Sequence, residues 1–136
     1  MNIVILGCGR VGAQLAGILD QAGHSVSVVD ASSDSFQRLS PDFSGTTYIG
    51  NGVDEDVLDR AGIKRADVFV AVTNGDNRNI MASQIARELF QVKKVICRIY
   101  DPIREETYRE LGLGTFCPTT IGSQMIFDAI TDRKQK

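Results

Sequence analysis

The series Gly7-Cys8-Gly9-Arg10-Val11-Gly12 near the start of the chain has the form Gly-x-Gly-x-x-Gly. Alone the pattern is weak. It gains meaning from its place, directly after the apolar run Ile3-Val4-Ile5-Leu6 and at the head of a helical pattern. In such a junction Gly7 allows a tight turn and Gly9 lets a diphosphate approach the backbone, where any side chain would obstruct it. Gly12 lets the helix lie close on the strand. Free N–H groups of the first helical turn and the positive end of the helix dipole then face the phosphates. Asp30 closes the next apolar run and supplies a second element. A carboxylate there accepts two hydrogen bonds from a ribose diol and repels a 2′-phosphate. Ala31 and Ser32 follow it, in place of the arginine that would welcome such a phosphate. Arg10 carries a planar fork of donors suited to phosphate oxygens. Without an anion, a cation in the first helical turn would oppose the dipole. A glycine turn that holds no ligand is the plain alternative.

The elements that position these residues alternate along the chain. Val11, Leu15, Ile18 and Ala22 recur at helical spacing, which predicts a helix over 10–22, stopped at Gly23. Val26–Val29 reads as a strand. Ser32–Leu39 reads as a short helix that ends before Pro41, and Thr46–Ile49 as a third strand. Gly50-Asn51-Gly52 is a turn, followed by a helix over 54–61 that Gly62 closes. Asp67–Thr73 is the strongest strand signal; Val68 to Val72 are all apolar, as in the middle of a parallel sheet. A long helix over 74–90 would turn Ile80, Ile85 and Leu89 inward. A strand over 94–98, a helix over 103–111, a strand over 115–117 and a helix over 121–130 complete the series. This alternation predicts an α/β fold: a Rossmann-type, doubly wound sheet of six mainly parallel strands in order 3-2-1-4-5-6. Helices would cover both faces, with right-handed crossovers. Residues 1–136 read as a single domain without repeats or linkers.

Composition narrows the function. The 136 residues are 43% hydrophobic and 24% charged, with a net charge of −2. That balance leaves no electrostatic footprint for nucleic acid. No apolar run approaches the ~20 residues needed to cross a bilayer, so no direct membrane insertion is expected. No signal-peptide pattern opens the chain. Cys8, Cys97 and Cys117 are widely spaced, and His24 is the single histidine. A disulfide framework and a metal site are both disfavoured, and a reducing cytoplasm is expected. Catalytic groups are scarce. None of Tyr48, Tyr100 and Tyr108 has a lysine four residues later, as a short-chain reductase would. His24 falls in a turn at the far end of the sheet, and neither Cys8 nor Cys117 has a histidine placed to activate it. No catalytic residue is expected and the chain reads as a non-enzyme. The rival readings are the cofactor domain of an NAD-dependent oxidoreductase and an oligomerisation module that binds no nucleotide.

The motifs carry a more specific signal together. IVILGCGRVG at 3–12, VVD at 28–30, YIGNGVDEDVLDRAGI at 48–63, ADVFVAVTNGDNRNI at 66–80 and VICRIYDP at 95–102 resemble the RCK/KTN (TrkA-N) nucleotide-binding domain of potassium-transport regulators of the Trk and Ktr type. The resemblance spans about residues 1 to 130. It implies a cytoplasmic domain, peripheral to the membrane, that binds NAD(H) or ATP/ADP across one edge of the sheet. The bound nucleotide would gate a membrane potassium transporter or channel. By this resemblance Gly7, Cys8, Gly9, Arg10, Val11 and Gly12 form the phosphate loop, and Asp30 and Ala31 the ribose side. Asn51, Gly52 and Val53 lie near the adenine, with Asn51 where relatives usually carry aspartate. Thr73, Asn74 and Arg98 approach the rest of the ligand. For Arg98 a surface ion pair with Asp101 or Glu105 is the alternative. Many Ktr-type members have Pro-Glu where this chain has Pro118-Thr119, and a hydroxyl is a poor ligand for a hard cation, so no metal is predicted. Family members usually continue into a C-terminal ligand domain; whether this chain is a stand-alone subunit or a piece stays open. Ile121, Met125 and Ala129 form an apolar stripe that Ile126, Phe127 and Ile130 widen. A helix over about 120–133 so broadly apolar needs two neighbours. The resemblance makes it the joint of a homodimer that can assemble further into a ring; a core helix within one chain is the alternative.

Overall fold

The computed structural model describes residues 1–131; the expected end of the last helix at 132–133 and the basic residues that follow lie outside the described residues. The elements run β1 (Asn2–Leu6), α1 (Arg10–Gln21), β2 (Ser25–Asp30), a 3-10 turn (Ser33–Arg38), β3 (Thr46–Ile49) and α2 (Glu55–Arg60). A second 3-10 turn (Ile63–Arg65), β4 (Val68–Ala71), α3 (Asp76–Gln84), β5 (Lys94–Arg98), α4 (Pro102–Glu110), β6 (Gly114–Phe116) and α5 (Pro118–Ile130) follow. The strands form one sheet in the order β3-β2-β1-β4-β5-β6, every ladder parallel. This is the Rossmann order that the alternation of strand and helix predicts.

Side chains of a strand alternate between faces, and both faces here are covered, so each central strand is apolar throughout. Ile3 and Ile5 of β1 join Val26, Val28 and Val70 under Ala13 and Ala16 of α1. Val4 and Leu6 point the other way, into a second core with Leu58, Ile63, Phe69 and Ile80. Leu58, Ile63 and Phe69 are fully buried, each contributing roughly 1.5–3 kcal/mol relative to exposure.

Two local expectations are corrected, and one helix is left exposed. The buried residues of α1 are Gly12, Ala13 and Ala16, whereas Val11, Ile18 and Ala22 are exposed and Leu15 only half-buried. The helix comes so close to the sheet that small residues make the innermost contact, with Leu15 and Leu19 packed at its edge. The helix expected over 74–90 starts at Asp76 and keeps α geometry only to Gln84. It widens into a π turn over Ile85–Leu89, which turns Leu89 out to solvent. The chain leaves that turn through Gln91 at φ 55. Finally, α5 has no buried residue; Ile121, Met125, Ile126, Phe127 and Ile130 are all exposed. Among the described residues its apolar face is uncovered.

Candidate functional site

Strand order reverses beside β1, and there the C-terminal ends of β1 and β4 part to form a crevice of about 400 Å³. Such switch points are where open parallel sheets accommodate ligands. Gly7 turns the chain at φ 109, a left-handed conformation natural only to glycine. A Cβ on Gly7 would lie 2.8 Å from the Val72 carbonyl, and one on Gly12 would collide with the Gly7 carbonyl oxygen. These two glycines are required by the protein's own packing. Gly9 differs: a Cβ there meets no protein atom within 4 Å, and Gly9 lines the crevice. It leaves backbone open to the crevice where no packing demands it. No side chain caps the N-terminus of α1, so the orphan N–H groups of its first turn are free for an outside acceptor. An uncapped helix start beside an open glycine fits a diphosphate.

Asp30 ends β2 and lines the same crevice. Its Oδ2 accepts from the Cys8 N–H at 2.8 Å and its Oδ1 from the Ser32 N–H at 2.9 Å. The carboxylate therefore holds the glycine loop against β2. Each oxygen retains lone-pair capacity for a further donor, so this role is compatible with a ribose diol. Ala31, Asn51 and Gly52 continue the wall. Asn51 Oδ1 accepts from the Val53 N–H at 3.1 Å and bends the chain, and a Cβ on Gly52 would strike the Leu6 side chain.

Thr73, Asn74 and Arg98 form the opposite wall. The surface ion pair considered for Arg98 is not formed. The residue is only 8% exposed. Its Nη2 donates to the carbonyls of Val72 and Thr73, each at 2.8 Å, and its guanidinium lies 4.8 Å from the Tyr100 ring centroid. Its Nε is buried without a partner. Asp101 instead caps α4 through the Ile103 N–H, and Glu105 pairs with Arg109 and Thr115.

Four of the expected residues do not line the crevice, and neither does Gly12, which lies beneath the loop. Cys8 is buried, and burial pushes its thiol pKa up, the Asp30 charge adding to the effect and Arg38 opposing it. Arg10 faces an adjoining groove between α1 and the segment around Phe43. Val11 is solvent-exposed, and Val53 faces a groove near Met81 and Tyr108.

Other residues belong to the site and were not expected from the sequence. Arg38, from the 3-10 turn, lines the crevice beside Asp30, and its Nη1 reaches the Cys8 carbonyl at 3.5 Å. The expectation that no arginine stands on this side is corrected: the residues just after Asp30 are the wrong place to look, because the 3-10 turn folds back. Arg78, on the first turn of α3, lines the other wall. Asn79 is fully buried and fastens that wall. Its Oδ1 accepts from the Thr73 N–H at 2.9 Å and the Thr73 hydroxyl at 2.6 Å. Its Nδ2 donates to the carbonyls of Thr73 and Arg98, each at 3.0 Å. The polar run after Thr73 was the only trace of this in the sequence. Arg38, Arg78 and Arg98 thus line a crevice with one carboxylate, Asp30, and none of the three forms a salt bridge among the described residues. The crevice is cationic although the chain carries a net charge of −2.

A parallel sheet in this order, with a glycine junction and a carboxylate at its switch point, is the Rossmann-type arrangement. Within that class the chain belongs to the TrkA-N domain family, which residues 3–117 match. It is 52% identical over 115 residues to the Trk system potassium uptake protein TrkA of Streptomyces coelicolor, covering 85% of this chain and 52% of that protein. It is 34% identical over 113 residues to a TrkA homolog of Methanothermobacter thermautotrophicus, again covering 83% of this chain and 52% of the relative. The chain spans about half the length of these curated relatives. Among solved structures, the Kef CTD of Shewanella denitrificans in AMP-bound form superposes with a TM-score of 0.80 at 22% identity, over 100% of this chain and 84% of that one. That likeness shows the fold.

Proposed function

We propose that this chain is a nucleotide-sensing regulatory domain that binds an adenine nucleotide, NAD(H) or ATP/ADP, in the crevice at the β1–β4 switch point. The observation that carries the reading is the pairing of the open Gly9 and the uncapped α1 start with Asp30 across a cationic crevice. The relatives support it: the Streptomyces protein is named for potassium uptake, and the Kef domain is described as AMP-bound. The adenosine ribose would sit on Asp30, its base near Asn51 and Gly52, and its phosphates over Gly7 and Gly9.

The domain acts by binding and not by covalent chemistry. Cys8, the thiol nearest the loop, is enclosed and held protonated by burial, which makes it a poor nucleophile. Its partner is a membrane potassium transporter or channel at the cytoplasmic face. No described helix is long and apolar enough to cross a membrane itself. The uncovered apolar face of α5 pairs with a second copy. Nucleotide then shifts the equilibrium between two arrangements of that dimer, by no more than its difference in affinity for them.

Titration calorimetry with AMP, ADP, ATP, NAD and NADH tests the core of the reading. Ligand at about 100 times its Kd should add roughly 2.7 kcal/mol of stability. Asp30→Ala should weaken every adenosine ligand at least tenfold. Because Asp30 also secures the loop, the melting temperature without ligand is measured in parallel. No heat from any of the five with the unaltered chain refutes nucleotide sensing. A monomer at all concentrations in sedimentation equilibrium refutes the role given to α5.

A further inference from the structure

The cations around the crevice are not equivalent. Arg10 opens onto the adjoining groove. Arg38 stands on the Asp30 side and reaches the Cys8 carbonyl. Arg98 is more than nine-tenths buried, with Nη2 held by two carbonyls and Nε enclosed without a partner. It supplies charge to the wall, and its Nη1 makes no hydrogen bond among the described residues, so that end of the fork is open to an anion. Arg78 differs in burial. It is exposed, lines the same wall, and makes no hydrogen bond or ion pair among the described residues. Its place in the first turn of α3 sets its charge against the helix dipole. An anion between Arg78 and Arg98 would offset both unfavourable features, the opposed dipole and the enclosed guanidinium.

Strand order fixes where that anion lies along a ligand. The sequence β2, β1, β4, β5 across the sheet places Asp30 first, the glycine junction next, and the Thr73–Arg98 wall last. A nucleotide whose ribose is on Asp30 and whose first phosphates are on the glycine junction therefore extends its far end toward Arg78. The wall is also rigid. The Asn79 amide links Thr73 to the Arg98 carbonyl, and Arg98 returns a hydrogen bond to the Thr73 carbonyl. Charge at this end is held in place before a ligand arrives, the condition under which it discriminates best.

We propose that Arg78 is the specificity residue of this site. It grips a terminal phosphate against Arg98 and makes the crevice select nucleoside triphosphates over mono- and diphosphates. The assignment rests on the nucleotide reading given above and adds to it which end of the ligand is read, and by which residue.

The test is titration calorimetry of the full chain with ATP, ADP and AMP, without added divalent cation, for the unaltered protein and for Arg78→Gln and Arg78→Lys. The unaltered protein should prefer ATP to AMP. Arg78→Gln should weaken ATP about tenfold and ADP less. AMP should change less than twofold, and Arg78→Lys should restore part of the ATP loss. The unliganded melting temperature should not fall in either variant, since Arg78 has no partner to lose. An ATP-to-AMP ratio unchanged by Arg78→Gln overturns the assignment, as does equal weakening of all three nucleotides. Absence of binding to the unaltered chain sinks the nucleotide reading itself, which separates the two failures.

Discussion

Replacing Asn79 by alanine should expose how the crevice wall is held. The side chain is fully buried and makes four hydrogen bonds, two through Oδ1 and two through Nδ2. Not all of the partners are stranded by its loss. The Thr73 carbonyl keeps the Arg98 Nη2 at 2.8 Å, and the Thr73 hydroxyl can turn to the Gly75 carbonyl at 3.4 Å. The Arg98 carbonyl keeps only the weak Cys97 thiol at 3.8 Å, and the Thr73 N–H keeps nothing. One orphaned donor costs about 1–3 kcal/mol, and a poorly satisfied carbonyl adds about 1 kcal/mol. The total is roughly 2–4 kcal/mol. With a urea m-value of about 2 kcal/mol per molar, the midpoint should fall by about 1–2 M at unchanged slope. Asn79→Asp should be no better, because a carboxylate can accept from Thr73 but cannot donate to the two carbonyls. Ser83→Ala is the contrast: its buried hydroxyl has no conventional partner, only the neighbouring Cys97 sulfur, so its removal should change stability by less than about 0.5 kcal/mol. If Asn79→Ala costs less than that as well, the amide is not what joins the ends of β4 and β5.

Two further outcomes follow from the glycines and the thiols. Gly9→Ala should fold with stability within about 1 kcal/mol of the parent yet lose nucleotide affinity, since its methyl enters open space at the crevice wall. Gly12→Ala should lose about 1–3 kcal/mol because its methyl meets the Gly7 carbonyl; calorimetry and urea unfolding of the pair should give opposite patterns. Cys97 is pushed up to about 11 by burial, against 9.0 for an ordinary thiol. The unfolded chain then loses its proton first, so this stabilisation is whole below about pH 9 and drains away between 9 and 11. At ~1.4 kcal/mol per unit, the alkaline loss is on the order of 3 kcal/mol. Unfolding free energies at pH 8.5 and 10.5 should therefore converge in Cys97→Ala relative to the parent, and an identical fall in both would show that another group titrates.

Much of this protein is written locally. The apolar runs at 3–6 and 68–72 fix strands covered on both faces, because a strand alternates sides and leaves no polar face for water. Gly7 and Gly12 announce a tight turn under a close helix, and Asp30 marks the end of β2, because turn stereochemistry and strand length are properties of neighbouring residues. The strand order follows from alternation and the right-handed rule for crossovers once the glycine fingerprint after β1 selects the Rossmann order among the doubly wound ones. Folding alone settled the rest, where residues far apart in sequence meet. Periodicity pointed to Val11 and Ile18 as the inner face of α1, but the closeness of the helix to the sheet favoured Ala13 and Ala16. Arg98 reads equally well as an exposed ion pair; only the carbonyls of Val72 and Thr73 draw it inside. The 3-10 turn returns Arg38 to the Asp30 side, and the short loop into α3 sets Arg78 on the opposite wall. Asn79 has no meaning until β4 and β5 lie side by side. Charge and burial depend on three-dimensional neighbours, so the cationic crevice belongs to the tertiary structure, while the glycine junction beneath it belongs to the sequence.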